Sequence, residues 1–188
     1  MVESSSIEVI ESKLRNGNSG ITLLKGSSGK IKKSDIYENS EENVYIEGVG
    51  TMAYLLECKI HNGENIGVDI CNGAEGKIEE CEVFKNKKDN INISGLETNT
   101  HIFKTRIYKG KEAGIAIFSA KGVIENCEVF ENQIVNIGVF GRDSSPHISN
   151  CIIRNGLGII SINGANPIIE NCTFYSSSEP QKQIKVFL

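Results

Sequence analysis

Apolar residues along this chain come in short alternating pairs that return at a nearly constant interval. Ile21/Leu23, Val44/Ile46, Val68/Ile70, Ile91/Ile93, Ile115/Ile117, Ile137/Val139 and Ile160/Ile162 each enclose a single residue, the period-2 signature of a strand with one buried face. Roughly ten residues before each pair stands a small anchor: Ser12, Ser34, Cys58, Cys81, Thr105, Cys127 and Cys151, with Cys172 after the last pair. Successive anchors are 22, 24, 23, 24, 22, 24 and 21 residues apart. The residues three before the anchor (Val9, Ile31, Leu55, Ile78, Ile102, Ile124, Ile148, Ile169) and two after it (Leu14, Ile36, Ile60, Val83, Ile107, Val129, Ile153, Phe174) are all apolar. Nothing in the chain repeats at the spacing of a helix face.

A period of this length with several short strands per unit predicts an all-β fold, a single-stranded right-handed parallel β-helix (solenoid) of about eight coils of 21–24 residues. Right is the commoner hand among such solenoids; the period alone does not set it. One β-helix domain fills residues 1–188, with coils at about 7–26, 27–50, 51–74, 75–97, 98–120, 121–144, 145–165 and 166–188. Gly76–Asn86 recurs almost residue for residue as Gly122–Asn132, which makes a pair of coils the unit of likeness. A leucine-rich repeat of similar period would show a Leu ladder with a fixed Asn, and Ile and Val stand there instead. At about 4.8 Å per coil, eight coils make a rod on the order of 40 Å long.

Composition adds detail within that frame. The net charge of −4 lacks the basic footprint of a nucleic-acid or anionic-membrane binder, and no segment has the length of a transmembrane span. Met1-Val2-Glu3-Ser4 does not open like a secretory signal, so a cytoplasmic protein is expected. Outward charges one residue after the anchor alternate in sign, from Lys13, Asp35 and Lys59 to Glu82, Arg106 and Glu128. Such a ladder penalises a one-coil slip. Five residues after the anchor, Gly17, Asn39, Gly63, Asn86, Gly110, Asn132, Gly156 and Ser177 alternate, an expected left-handed turn position.

These lines resemble the right-handed β-helix repeat region shared by carbohydrate-binding and sugar-hydrolase domains. The pattern of Ile102 to Gly110, Gly122 to Asn132, Ser145-Pro146-His147-Ile148-Ser149-Asn150-Cys151 and Asn166-Pro167-Ile168-Ile169-Glu170-Asn171-Cys172 is especially similar to the β-helix of F-box only substrate-recognition proteins. Those too alternate a basic coil ending in Gly with an acidic Ile-Phe coil ending in Asn. The likeness covers about residues 7 to 175 and implies the fold far more than a function. The family usually places Asn at the anchor where this chain has Cys, Ser or Thr, and no F-box segment is present, so a ubiquitin-ligase role is not carried over.

Five of the six cysteines are anchors and read as buried free thiols filling a turn, since Ser or Thr serves at equivalent places. Cys71 lies off that ladder, expected outward, and is the thiol to test for reactivity. The residues enclosed by the pairs, Thr22, Tyr45, Asp69, Asn92, Ala116, Gly138 and Ser161, form an expected outward groove. Asp69 is its only carboxylate, no Lys or Arg joins it, Glu47 is expected beside Asn92, and Glu42, Glu64, Asp89 and Glu112 form an acidic lip. Asp69 and Glu47 are therefore weak catalytic candidates. Tyr45, Asp69 and Asn92, with Tyr37, His61 and Tyr108 from an aromatic and basic row three residues after the anchor, are weak binding candidates. No metal ligand set and no cofactor motif stands out, and His61, His101 and His147 show no metal-ligand spacing. The leading expectation is a non-catalytic scaffold that binds a protein along one sheet face, the alternative a polysaccharide lyase, glycoside hydrolase or glycan-binding module. Without readable caps, the terminal coils invite homo-oligomers.

Overall fold

The computed structural model describes residues 5–175 and the backbone of 184–186. The first coil is built from strands β1 (Ser6–Ile10), β2 (Lys13–Arg15) and β3 (Ile21–Leu24), and every later coil repeats this set. The chain stacks them into three parallel eight-stranded sheets, here A, B and C, in which each strand pairs with the strand one coil before and one coil after. Among the described residues there is no helix. Ser177 of the turn row lies outside those residues.

Registers follow the anchor alignment. Val83 pairs with Ile60 and Ile107 in sheet B, and Ile78 with Leu55 and Ile102 in sheet A. Ile31, Leu55, Ile78, Ile102, Ile124 and Ile148 are all fully buried. At about 2 kcal/mol for each buried aliphatic side chain, these columns hold the coils in line. The anchors also lie inside, at the corner from sheet A to sheet B. Each buried anchor donates to backbone carbonyls, as Cys81 Sγ does to Glu79 O at 3.2 Å and Leu55 O at 3.5 Å. Thr105 Oγ1 does the same to Phe103 O at 3.0 Å. All six cysteines are free thiols.

Two expectations are corrected here. The left-handed residues are not the Gly/Asn row but those just before it, Asn16, Glu38, Asn62, Lys85, Lys109, Glu131 and Asn155, together with those just before the anchors, from Glu11 to Asn171. A long side chain in that conformation costs about 1 kcal/mol, and the backbone offsets it by bonding coil to coil, for instance Glu80 N to Phe103 O at 3.0 Å. The Gly/Asn alternation instead serves a buried amide ladder. Asn43 Nδ2 donates to Asn86 Oδ1 (3.0 Å), Asn86 Nδ2 to Asn90 Oδ1 (2.9 Å), Asn90 Nδ2 to Asn132 Oδ1 (3.0 Å) and Asn132 Nδ2 to Asn136 Oδ1 (3.0 Å). The glycines make room: a Cβ on Gly63 would stand 2.6 Å from Asn43 Nδ2.

The second correction is in coil 7. Its strand Ile159–Ile162 pairs Ile159 with Ile137 and Ser161 with Val139, so Ser161 points inward and Ile160 and Ile162 point out. Buried Ser161 donates its hydroxyl to Ala165 O at 2.9 Å. Ile159 and Ile160 are both apolar, and the preceding turn is two residues shorter than in coil 6, an even change that keeps the phase of the core column and puts Ile159, not Ile160, inward.

Candidate functional site

On the outer face of sheet C the expected groove residues are brought together in the N-terminal coils only. Tyr45, Asp69 and Asn92 align on adjacent strands. Asn92 Nδ2 donates to Asp69 Oδ1 at 2.7 Å, and Cys71 Sγ lies 3.7 Å from the Tyr45 hydroxyl. Burial pushes the Asp69 carboxyl up, with Asn92 opposing, and likewise pushes up the Tyr45 hydroxyl and the Cys71 thiol. Cys71 is thus in the outward phase but covered, 7% exposed, and its thiol is held protonated. Glu47 is not beside Asn92: it pairs with Cys71, and its carboxylate accepts from Asn72 at 2.9 Å. In the acidic lip, burial lifts the Asp89 carboxyl to about 6 while it accepts the Ala113 amide at 2.8 Å. Glu42 accepts from Asn65 at 2.7 Å, and Glu64 pairs with Lys87. Further along, Ala116 is buried and the Phe140 ring folds over Gly138, so the face turns apolar.

Sheet B gathers the aromatic row into one column. Tyr37, His61, Phe84, Tyr108 and Phe130 stack with centroids 5.0, 4.6, 4.9 and 4.8 Å apart and planes within 13° of parallel. Arg15 lies 5.7 Å from the Tyr37 ring at one end, and Arg154 lies 4.0 Å from the Phe130 ring at the other. Each inner ring spends both faces on its neighbours. Tyr37, His61 and Tyr108 therefore offer edges rather than flat platforms to a ligand. Beside the column, Arg106 bridges Glu82 at 2.8 Å and Glu128 at 3.2 Å, as the charge ladder anticipates, and His61 Nε2 meets Asp35 at 2.9 Å.

The outer face of sheet A holds an open cluster that sequence reading missed. Tyr54, Lys77 and His101, each four residues before its anchor, align on three successive strands. Tyr54 Oη donates to Glu79 Oε2 at 2.7 Å and Lys77 Nζ reaches the same oxygen at 2.8 Å. Lys77 also sits 4.9 Å above the Tyr54 ring. His101 Nε2 meets Glu125 Oε1 at 2.8 Å one coil on. The shared contact sets the electrostatics: Lys77, then Tyr54, holds the Glu79 carboxyl below the usual range, while the bond to Glu79 pushes the Tyr54 hydroxyl up to about 12. Beside them a shallow cleft of about 390 Å³ is lined by Met52, Tyr54, Glu75, Lys77, Asn99 and His101. The arrangement places three carboxylates, an ammonium, a phenol and an imidazole on one solvent-facing surface. The signal that finds it is the row four before the anchor, where residue type changes at every coil while the core rows stay constant.

Three comparisons bear on this architecture. Residues 1–152 match the family model described as "Right handed beta helix region". No curated protein matches the chain by sequence. The solved structure of pectate lyase Pel9A is similar in fold, with TM-score 0.66 and 16% identity over 85% of this chain and 49% of that one. The periplasmic alginate epimerase AlgG aligns at TM-score 0.44 and 12% identity over 79% of this chain and 50% of that one. The chain thus spans about half the length of both structures. Three parallel sheets, coil-by-coil pairing and the family match over most of the sequence agree, and the chain belongs to the right-handed β-helix region family.

Proposed function

We propose that the chain is a polysaccharide-active β-helix that seats a glycan strand across the outer face of sheet A, over Tyr54, Lys77 and His101. The observation that carries this reading is the convergence of Tyr54 and Lys77 on one oxygen of Glu79, with the His101–Glu125 pair beside it and an open cleft alongside. Hydroxyl-rich ligands are met by such mixed donors and acceptors, and Met52 and the Tyr54 ring supply apolar surface for the C–H faces of sugar rings. A pectate lyase of the same fold acts on a polysaccharide, which supports the class of ligand and no particular residue.

The chemistry that this face can perform is proton transfer. Tyr54, held protonated by its bond to Glu79, carries a proton at neutral pH, and the His101 imidazole, in contact with Glu125, is the nitrogen base on the same face. Lys77 positions an anionic or hydroxyl oxygen between them. The test is a polysaccharide panel read for binding, for new reducing ends and for the ultraviolet absorbance of an unsaturated product. Lys77→Ala should weaken binding at least tenfold, and Tyr54→Phe should lower turnover more than binding. Unchanged binding in Lys77→Ala would overturn the reading.

A protein-binding scaffold is the second reading. It draws on the likeness to the β-helix of F-box only proteins and on exposed Val49 and Met52 beside the same face. A partner captured by the wild-type chain and lost in Val49→Asp, with the polysaccharide panel blank, would favour it.

A further inference from the structure

Asparagine followed by glycine occurs at Asn16-Gly17, Asn62-Gly63, Asn72-Gly73, Asn155-Gly156 and Asn163-Gly164. In such a pair the glycine nitrogen can attack the asparagine side chain, because no Cβ blocks its approach. The asparagine is left-handed in all of them. They differ in whether the glycine amide is already engaged. Gly17 N donates to Asn39 Oδ1 at 3.0 Å, Gly63 N to Asn86 Oδ1 at 3.0 Å and Gly73 N to Thr98 Oγ1 at 2.8 Å. The row that holds Gly17 and Gly63 reaches Gly156 through Ser177, which lies outside the described residues. Gly164 N has no acceptor among the described residues.

Asn72 and Asn163 form a like-for-like pair. Each opens an Asn-Gly-Ala corner directly after a sheet C strand, with φ of 55° and 59° and a following glycine at 85° and 77°. Local sequence and backbone conformation therefore make them equal. Their surroundings do not. Around Asn72, its own amide donates to Ser94 O at 3.0 Å, Ala74 N to Cys71 O at 3.2 Å, and its side-chain amide to Glu47 at 2.9 Å, besides the Gly73–Thr98 bond.

Around Asn163 a single bond closes the corner, Ala165 N to Ile162 O at 3.4 Å, and the asparagine side chain has no partner among the described residues. A side chain from the corner one coil before lies over each glycine: a Cβ on Gly73 would stand 2.7 Å from Val49 Cγ2, and one on Gly164 2.9 Å from Arg142 Cγ. Gly73 is nevertheless buried, while Asn163 and Gly164 are both exposed.

We propose that Asn163 is a site of self-modification, deamidated through a cyclic imide, and that the fold protects Asn72 from the same reaction. Gly164 N bonds to Asn163 Cγ, the Cγ–Nδ2 bond breaks, and ammonia leaves with the proton that the glycine amide gives up. Solvent water then opens the imide. Opening at the side-chain carbonyl gives aspartate, and opening at the backbone carbonyl gives isoaspartate, whose main chain runs one carbon longer through the former side chain. The net change is amide plus water to carboxylic acid plus ammonia. The attack requires the left-handed corner to open, and the rate follows the cost of that opening. At Asn72 the nucleophile is tied to Thr98 and the corner is pinned on both sides; at Asn163 the nucleophile is free among the described residues. The product places a carboxylate at the corner that feeds strand Ile168–Glu170, and isoaspartate lengthens that corner.

Peptide mapping by mass spectrometry, on the full chain incubated in warm, mildly alkaline buffer, tests the proposal. The peptide that holds Asn163 should yield paired aspartate and isoaspartate products at least tenfold faster than the peptides of Asn72, Asn62 and Asn16. In urea, where only local sequence counts, Asn72 and Asn163 should react at similar rates. Asn163→Gln should remove the fast product and leave the other peptides as they were. Thr98→Val, which frees the Gly73 amide, should speed Asn72 severalfold in a chain whose melting curve shows it folded. Equal rates at Asn72 and Asn163 in the folded chain, an Asn163 that stays intact while the unfolded chain converts, or a tenfold gap that persists in urea would each overturn it.

Discussion

The asparagine ladder inside the solenoid and the polar cluster on sheet A are built from the same kinds of group, yet they do opposite things. Asn86 is fully buried, and its carbonyl takes both Asn43 Nδ2 and the Gly63 amide while its own amide reaches Asn90. Its oxygen and its amide both meet partners inside the solenoid. Tyr54 also bonds across coils, to Glu79, which Lys77 of the same strand joins, but this happens at the surface, where the second oxygen of Glu79 and the remaining protons of Lys77 are open to water. The difference teaches where to look for function in a repeat protein: polar groups that complete one another hold coils together, and groups with spare valence can meet something else.

The sharpest way to break the comparison is to remove one rung of the ladder. Asn86→Ala removes the buried acceptor of the Gly63 amide and of one Asn43 amide proton, and takes a side-chain donor from Asn90, whose oxygen keeps the Asn86 backbone amide. An unsatisfied buried group costs about 1–3 kcal/mol, so a loss of about 4 kcal/mol in urea unfolding is expected. A loss under about 1 kcal/mol would mean that water enters the corner and that the ladder is no tighter than the surface.

Next in size are the glycines. Gly63→Ala drives a methyl group into Asn43 and Asn86, an overpacking cost of about 2 kcal/mol or more. Gly26→Ala is the control: it has open space around it and a φ of +77°, so only the left-handed penalty of about 1 kcal/mol applies. Equal losses at the two sites would deny that the Gly/Asn alternation serves the ladder.

That alternation also shows what could be read in advance. The core columns were legible because the same residue type recurs at one phase in every coil, as Ile78, Ile102 and Ile124 do. The Gly/Asn row was visible, but its meaning depended on which side chains meet across coils, and Gly and Asn suit a left-handed turn equally well. Ser161 was misplaced because Ile159-Ile160-Ser161-Ile162 offers an isoleucine in either phase, and only packing picks one. Tyr54, Lys77 and His101 were missed for the converse reason. A row that changes at each coil leaves no periodic trace, and reading them as neighbours requires the register first.

A smaller effect separates the acidic lip from both regions. Burial raises the Asp89 carboxyl to about 6 from an unfolded value near 3.8, so the folded chain binds its proton more tightly than the unfolded one. The stability this group contributes is present below about pH 4 and is lost as pH rises through 6. Asp89→Asn keeps an acceptor for the Ala113 amide and removes the charge. It should stabilise the protein at pH 7 by about 1–2 kcal/mol, with allowance for partial exposure, and flatten this part of the pH profile. No gain at pH 7 would place the carboxylate in a wetter setting than its neighbours suggest.

The smallest change in stability is expected on sheet A, and there its smallness is informative. Tyr54→Phe removes one hydrogen bond to a carboxylate that keeps Lys77, and Tyr54 is only half-buried. Surface substitutions of this kind fall within about 0.5 kcal/mol. Urea unfolding should therefore barely register the variant that most affects turnover. A loss of 2 kcal/mol or more would assign the Tyr54–Glu79–Lys77 contact to the same work as the asparagine ladder, holding coils together, and the sheet A face would lose its claim as the site.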